Sequence, residues 1–406
     1  MTNPLYDPYA VLHSVYGGGA YLKQALSDTP IEELNRARTA KICYGVMEND
    51  LFLDFCIRSF APKNPKLPVR ILLKIALYML VFLKKPRYMV TDNAVSLLKK
   101  LGKGGAAGFV NAFLRAFDEQ KLVFPKEETA ALSVRFSFPE FAVRRIVAAY
   151  GKDAEAVLSP RPARTFVRYV CENVRPGGEE TPFAGLYSYP SFRREEGYDL
   201  GEYTFQSIGS VAICAGVSPC EKLLDACAAP GGKSVLLSEK CGLVTAFELH
   251  AHRAKLIEQY ASRMHRDNVR VFCRDASVFD PDFEGAFDAV LADVPCSGYG
   301  VVGENPDIKF FRKEEDLSAL CAAQLSILET VSRYVRKGGD LYYSTCSIFP
   351  EENDGTVGQF LARVHGFSVR KADSPLPFRR TRYGIQFLPH LSMGAGFYFA
   401  HLVREE

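Results

Sequence analysis

The 406-residue sequence predicts a multidomain chain, an all-α N-terminal domain followed by an α/β domain built on a doubly wound, mostly parallel sheet. Three observations predict it. Apolar residues recur at helical spacing up to about residue 125. From about residue 206, short apolar runs of strand length alternate with helical stretches, the pattern of strand–helix–strand units. Charge is also divided unequally. Of 50 Lys+Arg and 47 Asp+Glu, residues 1–150 hold 21 and 13 (+8), which leaves 29 and 34 (−5) for residues 151–406. The overall 48% hydrophobic and 24% charged content is that of a globular protein and excludes disorder, collagen or coiled coil as the main character.

In the N-terminal part, Val11, Leu12 and Val15, then Ile42, Val46, Leu51 and Leu53, fall at the spacing of one buried helix face. Pro62, Pro65 and Pro68 punctuate a loop before residues 71–83, an apolar run interrupted by Lys74. That run is too short to cross a bilayer and reads as a core helix. Thr91 or Asp92 is placed to cap a helix running to Lys100, and the glycine-rich stretch 102–108 ends it. Residues 109–115 start the last helix of a domain assigned to 1–125. Residues 126–205 read as a linker and the first part of the next domain. They are punctuated by Phe138-Pro139, Tyr150-Gly151, the stretch from Pro160 to Arg164 and a turn at Pro176, with a strand at 164–170.

Residues 206–406 form the α/β domain. Runs at 223–225, 243–248, 269–273, 287–293 and 340–344 suit buried strands. Helices at 234–240, 252–265 and 317–336 lie between them, and a final strand spans 397–403. Sheets of this kind bind ligands beyond the carboxyl ends of their strands.

The segment from Arg58 to Lys103 holds 11 basic residues against one acidic residue, Asp92. Such a block suits a polyanion, because neutralised phosphates release counterions; a solvated helical face is the competing reading. The N-terminus has no basic start followed by an apolar core, so the expectation is a cytoplasmic protein without a secretory signal. The 11 cysteines are odd in number and contain no CxxC pair, which argues against both a disulfide framework and a structural zinc site. His250 and His252 read as solvated residues at a helix start, and no metal is expected.

Four motifs carry chemistry. Asp225-Ala-Cys-Ala-Ala-Pro-Gly-Gly-Lys233 joins a strand to a helix, where a glycine turn lets backbone approach a cofactor. It fits neither a Walker loop nor GxGxxG. Glu248, Asp275 and Asp293 end or follow later strands, so three acids converge over one crevice. Glu248 suits two ribose hydroxyls and Asp275 an adenine edge. Together with Asp225 and the paired glycines they point to S-adenosylmethionine. Asp293-Val-Pro-Cys296-Ser-Gly298 and Tyr343-Ser-Thr-Cys346-Ser347 each put a cysteine just beyond a strand. Two thiols beside a methyl donor suit methylation of cytosine at C5, a poor carbon nucleophile. A thiolate adding at C6 enriches C5, which can then attack the methyl sulfonium; a carboxylic acid facing N3 supports the adduct. Phe310 and Phe311, beside Lys309 and Arg312, are candidates to stack an extruded base.

The N-terminal residues Tyr44-Gly45 and Val110-Asn-Ala-Phe-Leu-Arg115 resemble the helical RNA-binding domain of the NusB type. Residues 206–403 resemble the RNA cytosine-C5 methyltransferases, and nearly the whole chain resembles the Sun/RsmB family. The marks are Asp225–Lys233, Asp293–Gly298, Asn305-Pro-Asp-Ile-Lys309 and the stretch from Ser344 to Asn353. The resemblance implies a Rossmann-like, S-adenosylmethionine-dependent enzyme acting on small-subunit ribosomal RNA. It makes Cys346 the nucleophile and gives Cys296 the release of product, with Asp293 as the third catalytic residue. Cys227, Ala228, Ala229, Pro230, Gly231, Gly232, Lys233, Glu248, Arg253, Asp275 and Asp293 would bind the donor. Three positions depart from the family pattern: Ser207 after Gln206, Glu304 before Asn305, and Ala395 before the final Gly-Phe-Tyr. The expected partner is ribosomal RNA, with no membrane and a monomeric chain. A transfer-RNA methyltransferase and a non-catalytic RNA-binding or antitermination module are the alternatives.

Overall fold

The computed structural model describes residues 3–159, 161, 164–170 and 177–405. The chain divides into two compact units. One holds residues up to Leu158 together with Asn305–Arg312; the other holds Ser159–Glu304 and Lys313–Glu406.

The first unit is helical. Its centre is the helix Leu67–Val81, entered through Pro68 in the first turn, where the missing N–H costs nothing. Ile71, Leu72, Leu73, Ile75, Ala76 and Leu77 are buried on it. Lys74 is buried too, and its ammonium pairs with Asp50 and, at 3.2 Å, with Asp54 of the helix Asp50–Phe60. A basic residue that the composition assigns to a charged face therefore belongs to the core. The next helix spans Arg87–Lys100, and Pro86 rather than Thr91 or Asp92 stands before its first turn. Thr91 is buried inside the helix. The fixed φ of proline starts this helix at least five residues earlier than capping by Thr91 or Asp92 suggests.

Residues 126–205, read from sequence as a linker and the first part of the next domain, divide between the two units after Leu158. Glu127 caps the helix Glu128–Phe136, and Ser137 (φ +53°) accepts a hydrogen bond from the backbone N–H of Phe52 at 3.0 Å. The helices through Leu158 thus extend the helical unit beyond the 1–125 assigned from sequence. The segment Asn305–Arg312 also lies in this unit. Asp307 accepts from the Leu22 N–H at 2.8 Å, and Lys309 donates to the Glu48 carbonyl at 2.8 Å. Phe310 packs edge-on against Tyr16 (5.1 Å) and Phe311 against Tyr21 (5.0 Å). Both rings are thus held by tyrosines of the helical unit, and Phe310 keeps 40% of its surface exposed.

The second unit opens with a small antiparallel sheet of order β2-β3-β1-β4: β1 (Thr165–Tyr169), β2 (Glu179–Glu180), β3 (Leu186–Tyr189) and β4 (Tyr203–Phe205). Pro160, Pro162, Ala163 and the turn residue Pro176 lie outside the described residues. The large sheet holds β5 (Lys222–Asp225), β6 (Leu243–Glu248), β7 (Val269–Cys273), β8 (Phe287–Asp293) and β9 (Val335–Thr345), all parallel. The antiparallel β10 (Phe367–Arg370), β11 (Arg379–Arg380), β12 (Gly384–Gln386) and β13 (Tyr398–Arg404) complete it. The order β7-β6-β5-β8-β9-β13 reverses direction between β5 and β8, the switch point at which such sheets open a crevice. Leu223, Leu291 and Tyr342 fill one apolar layer, and Leu224, Val290, Leu341 and Tyr343 the other.

Candidate functional site

Three strand ends meet at the switch point. β5 ends in Asp225, which is buried; its Oδ2 accepts from Ser234 Oγ at 2.6 Å, while its Oδ1 is buried with no hydrogen-bond partner among the described residues. Burial pushes this carboxyl up to about 6. The turn that follows reaches Gly231 at φ +104°, directly before the helix Gly232–Leu237. A Cβ on Gly231 would sit 3.1 Å from the Ile257 backbone, so glycine is required both by conformation and by space.

β8 ends in Asp293. Lys233 Nζ donates to its Oδ2 at 2.7 Å, and Ser344 Oγ donates to its Oδ1 at 2.6 Å. Burial alone would push the Lys233 ammonium down, but the Asp293 carboxylate outweighs it and holds the amine above the usual lysine range. One carboxylate thus ties the glycine turn, β8 and the end of β9 together.

A cleft of about 190 Å³ lies here. Among the residues named from sequence, Cys227, Ala228, Ala229, Pro230, Gly232, Lys233 and Asp293 line it. Glu248, Arg253 and Asp275 are placed around it differently. Glu248, at the end of β6, is buried; it accepts from the His250 N–H at 3.0 Å and stands 3.5 Å from Arg253, which also donates to the Ala229 carbonyl at 3.3 Å. Asp275 is exposed, and its Oδ1 accepts from Ser277 N–H and Oγ at 2.9 and 2.6 Å, closing a turn. The lining also includes Phe205, Gln206, Ser207, Ser210 and Tyr260, which sequence reasoning did not assign to the site. Gln206 bridges Arg168 to the Gly232 carbonyl, at 2.8 and 2.9 Å. Ser207 caps the helix Ile208–Gly216 by accepting from Ser210 N–H, the cap an aspartate would make, so this departure from the family pattern keeps the local structure. An unpartnered buried carboxylate oxygen above a glycine turn fits the cationic amino group and adjacent polar atoms of S-adenosylmethionine.

Past Asp293 and past Ser344 the chain turns, and each turn carries a cysteine. Cys296 is buried and Cys346 half-buried, with their sulfurs 3.1 Å apart. The hydrogen bond that Cys296 makes to Cys346 raises the Cys296 thiol well above its ordinary range, and burial adds to the shift. The turns approach closely because Gly300 donates its N–H to the Cys346 carbonyl at 2.9 Å and lies against Gly396. Ala395, the third departure, is buried beside this contact. Beneath the sulfurs lies a polar cluster of Ser297, Ser347, Glu352, Asn353, Gln324 and Gln386, all buried. The sequence marked this stretch only as part of a motif; a buried glutamate two residues past a Phe-Pro turn carries no periodicity that would single it out.

Comparison with known proteins places this architecture. The family profile described as 16S rRNA methyltransferase RsmB/F matches residues 214–403, and the NusB family profile matches residues 10–119. The ribosomal RNA small subunit methyltransferase B of Xylella fastidiosa (strain 9a5c) is 30% identical over 97% of this chain and 99% of its own length. The probable ribosomal RNA small subunit methyltransferase B of Bacillus subtilis (strain 168) is 29% identical over 94% of this chain and 93% of its own. In fold, the chain is similar to the crystal structure of PH0851, with a TM-score of 0.81 over the full length of both chains at 23% identity.

Proposed function

Since the chain belongs to the ribosomal RNA small subunit methyltransferase B family, S-adenosylmethionine-dependent enzymes that methylate 16S ribosomal RNA, we propose that it makes 5-methylcytosine through a cysteine–C6 adduct. The observation that carries this reading is the pair of sulfurs 3.1 Å apart, each just past a strand end, the two strands being joined there by the Asp293–Ser344 hydrogen bond. A methylation at nitrogen or at an exocyclic oxygen has no use for two thiols. Carbon methylation needs one thiol to activate the ring and a second group to help release it.

Cys346 is assigned the nucleophile. It is the more accessible sulfur, and it stands opposite Cys296, the thiol that keeps its proton. Its addition to C6 forms a sulfur–carbon bond and moves an electron pair to C5. The bound donor supplies an electrophilic methyl group. Loss of the C5 proton and cleavage of the sulfur–C6 bond follow, the stage assigned to Cys296. Asp293, already shared between Lys233 and Ser344, is the carboxyl group assigned to the N3 edge of the base. The glycine turn from Cys227 to Lys233, with Glu248, Arg253 and Asp275, is assigned to the donor.

The test is incubation of the protein with labelled donor and 16S ribosomal RNA. Label is expected at cytosine C5; label confined to any other atom rejects the reading. Cys296→Ala is expected to accumulate a protein–RNA adduct that survives denaturing gels, and Cys346→Ala to form none. If the two outcomes were exchanged, the roles of the cysteines would be exchanged with them.

A further inference from the structure

We infer that Glu352 is a positioning residue that clamps the two cysteine-bearing turns at reacting distance, a role that rests on the reaction proposed above. Ser297 follows Cys296 and Ser347 follows Cys346. The Glu352 carboxylate, wholly buried, reaches both: it accepts from the Ser297 N–H at 2.7 Å and from the hydroxyls of Ser297 and Ser347. Those two hydroxyl oxygens are 3.2 Å apart. Gln324, on the helix Asp316–Ser332, adds a fourth donor at 3.0 Å and with the same amide donates to the Pro295 carbonyl at 3.0 Å. One carboxylate therefore fixes the residue next to each sulfur and anchors both to a helix.

Glu352 is itself held rigid. Its own carbonyl accepts from Tyr343 OH at 2.5 Å, on β9. The adjacent Asn353 bonds Thr345, the Ser347 carbonyl and Gln386, at 2.6, 3.1 and 2.7 Å. Such a group is pre-organised: its acceptors are saturated by three donors from the two turns it must align and one from the helix that carries Gln324. A carboxylate can take two donors on each oxygen, whereas an amide of the same size would turn a donor towards at least one of these groups. The requirement is geometric as well as polar. With a sulfur on each turn one residue from the clamp, a small rotation of either turn separates the thiols. The charge of Glu352 also helps hold the proton on Cys296, the thiol not used for attack.

The experiment reads the sulfur–sulfur geometry without RNA. Diamide takes up one thiolate on its N=N bond; the second thiol displaces the hydrazine, so two thiols lose two electrons and two protons to the reagent and become a disulfide. Its initial rate at Cys296–Cys346, measured by peptide mass mapping, is divided by the rate at Cys220–Cys241, a pair 3.7 Å apart outside the clamp. Glu352→Gln is expected to lower this ratio at least tenfold. In steady-state assays it is expected to lower kcat at least tenfold, with KM for the donor within twofold. A ratio within twofold of wild type overturns the clamp. Should Glu352→Gln fail to fold, Ser347→Ala decides: a threefold or greater fall supports the clamp, and no fall overturns it. A lowered ratio together with no C5 label from the wild-type protein would leave the clamp as geometry and reject the reaction. An unchanged ratio with full labelling rejects the clamp alone.

Discussion

Asp225 is a carboxyl group kept half satisfied. Ser234 serves one oxygen, and the other has no hydrogen-bond partner among the described residues. Burial lifts its folded pKa to about 6, above the roughly 3.9 of an unfolded aspartate. Between these values the folded state holds a proton that the unfolded state has lost. The contribution of Asp225 to the stability of the ligand-free protein therefore falls as pH rises from about 4 to about 6, by roughly 3 kcal/mol, and is constant above. Asp225→Asn is expected to remove this slope, measured as the wild-type minus variant difference in urea unfolding at pH 4.5 and 7.5. The same variant is expected to bind S-adenosylmethionine at least tenfold more weakly by calorimetry at pH 7.5, because the buried anion is gone. Equal affinity would remove Asp225 from the donor site. Lys233 and Asp293, by contrast, pair with one another at 2.7 Å, and the carboxylate holds the Lys233 ammonium above the usual lysine range against the effect of burial.

At the scale of elements, the site depends on turns that can approach one another only as glycine. A Cβ on Gly300 would lie 1.6 Å from the Gly396 carbonyl oxygen and 2.8 Å from that of Cys346. Backbone cannot yield by that much without moving β13 or the Cys346 turn. Gly300→Ala is expected to destabilise the protein by at least about 3 kcal/mol, in the range of severe overpacking, and to abolish methyl transfer even where the variant remains folded. Thermal unfolding and single-turnover assays check both parts; a variant with wild-type transfer would show that the two turns are not held by this approach of backbones. Helix boundaries follow the same logic. Pro86 starts its helix because φ is fixed covalently, whatever Thr91 and Asp92 could cap.

For the whole molecule, charge is the sequence property with most bearing on the substrate. The basic block between Arg58 and Lys103 is less uniform than its composition. Lys74 is a core ion-pair partner and Arg70 is bound to Asp54, while Lys99, Lys100 and Lys103 are exposed around the glycine-rich turn. Replacing these three lysines by glutamine is expected to weaken binding of 16S ribosomal RNA. It should also reduce the slope of log K against log salt by about 2–3, roughly one for each phosphate that is no longer neutralised. Fluorescence anisotropy across a salt series measures it, and an unchanged slope would take this turn out of the RNA interface.

Read alone, the sequence determined the two fold classes, the strands β5 to β8, the second half of β9 and the arrival of Asp225, Glu248, Asp293, Cys296 and Cys346 at strand ends. Periodicity and turn chemistry are local properties, set by which residues can be buried within a few positions of one another. Which distant segments meet is a property of packing. Only the tertiary structure decided that residues 126–158 and 305–312 join the helical unit, that Lys74 and Lys309 are core cations, and that Phe310 and Phe311 pack on tyrosines. The same holds for the 3.1 Å between two sulfurs fifty residues apart and for the carboxylate of Glu352 beneath them. A buried polar group takes its identity from partners that can lie anywhere in the chain, so its role is written in three dimensions rather than in spacing.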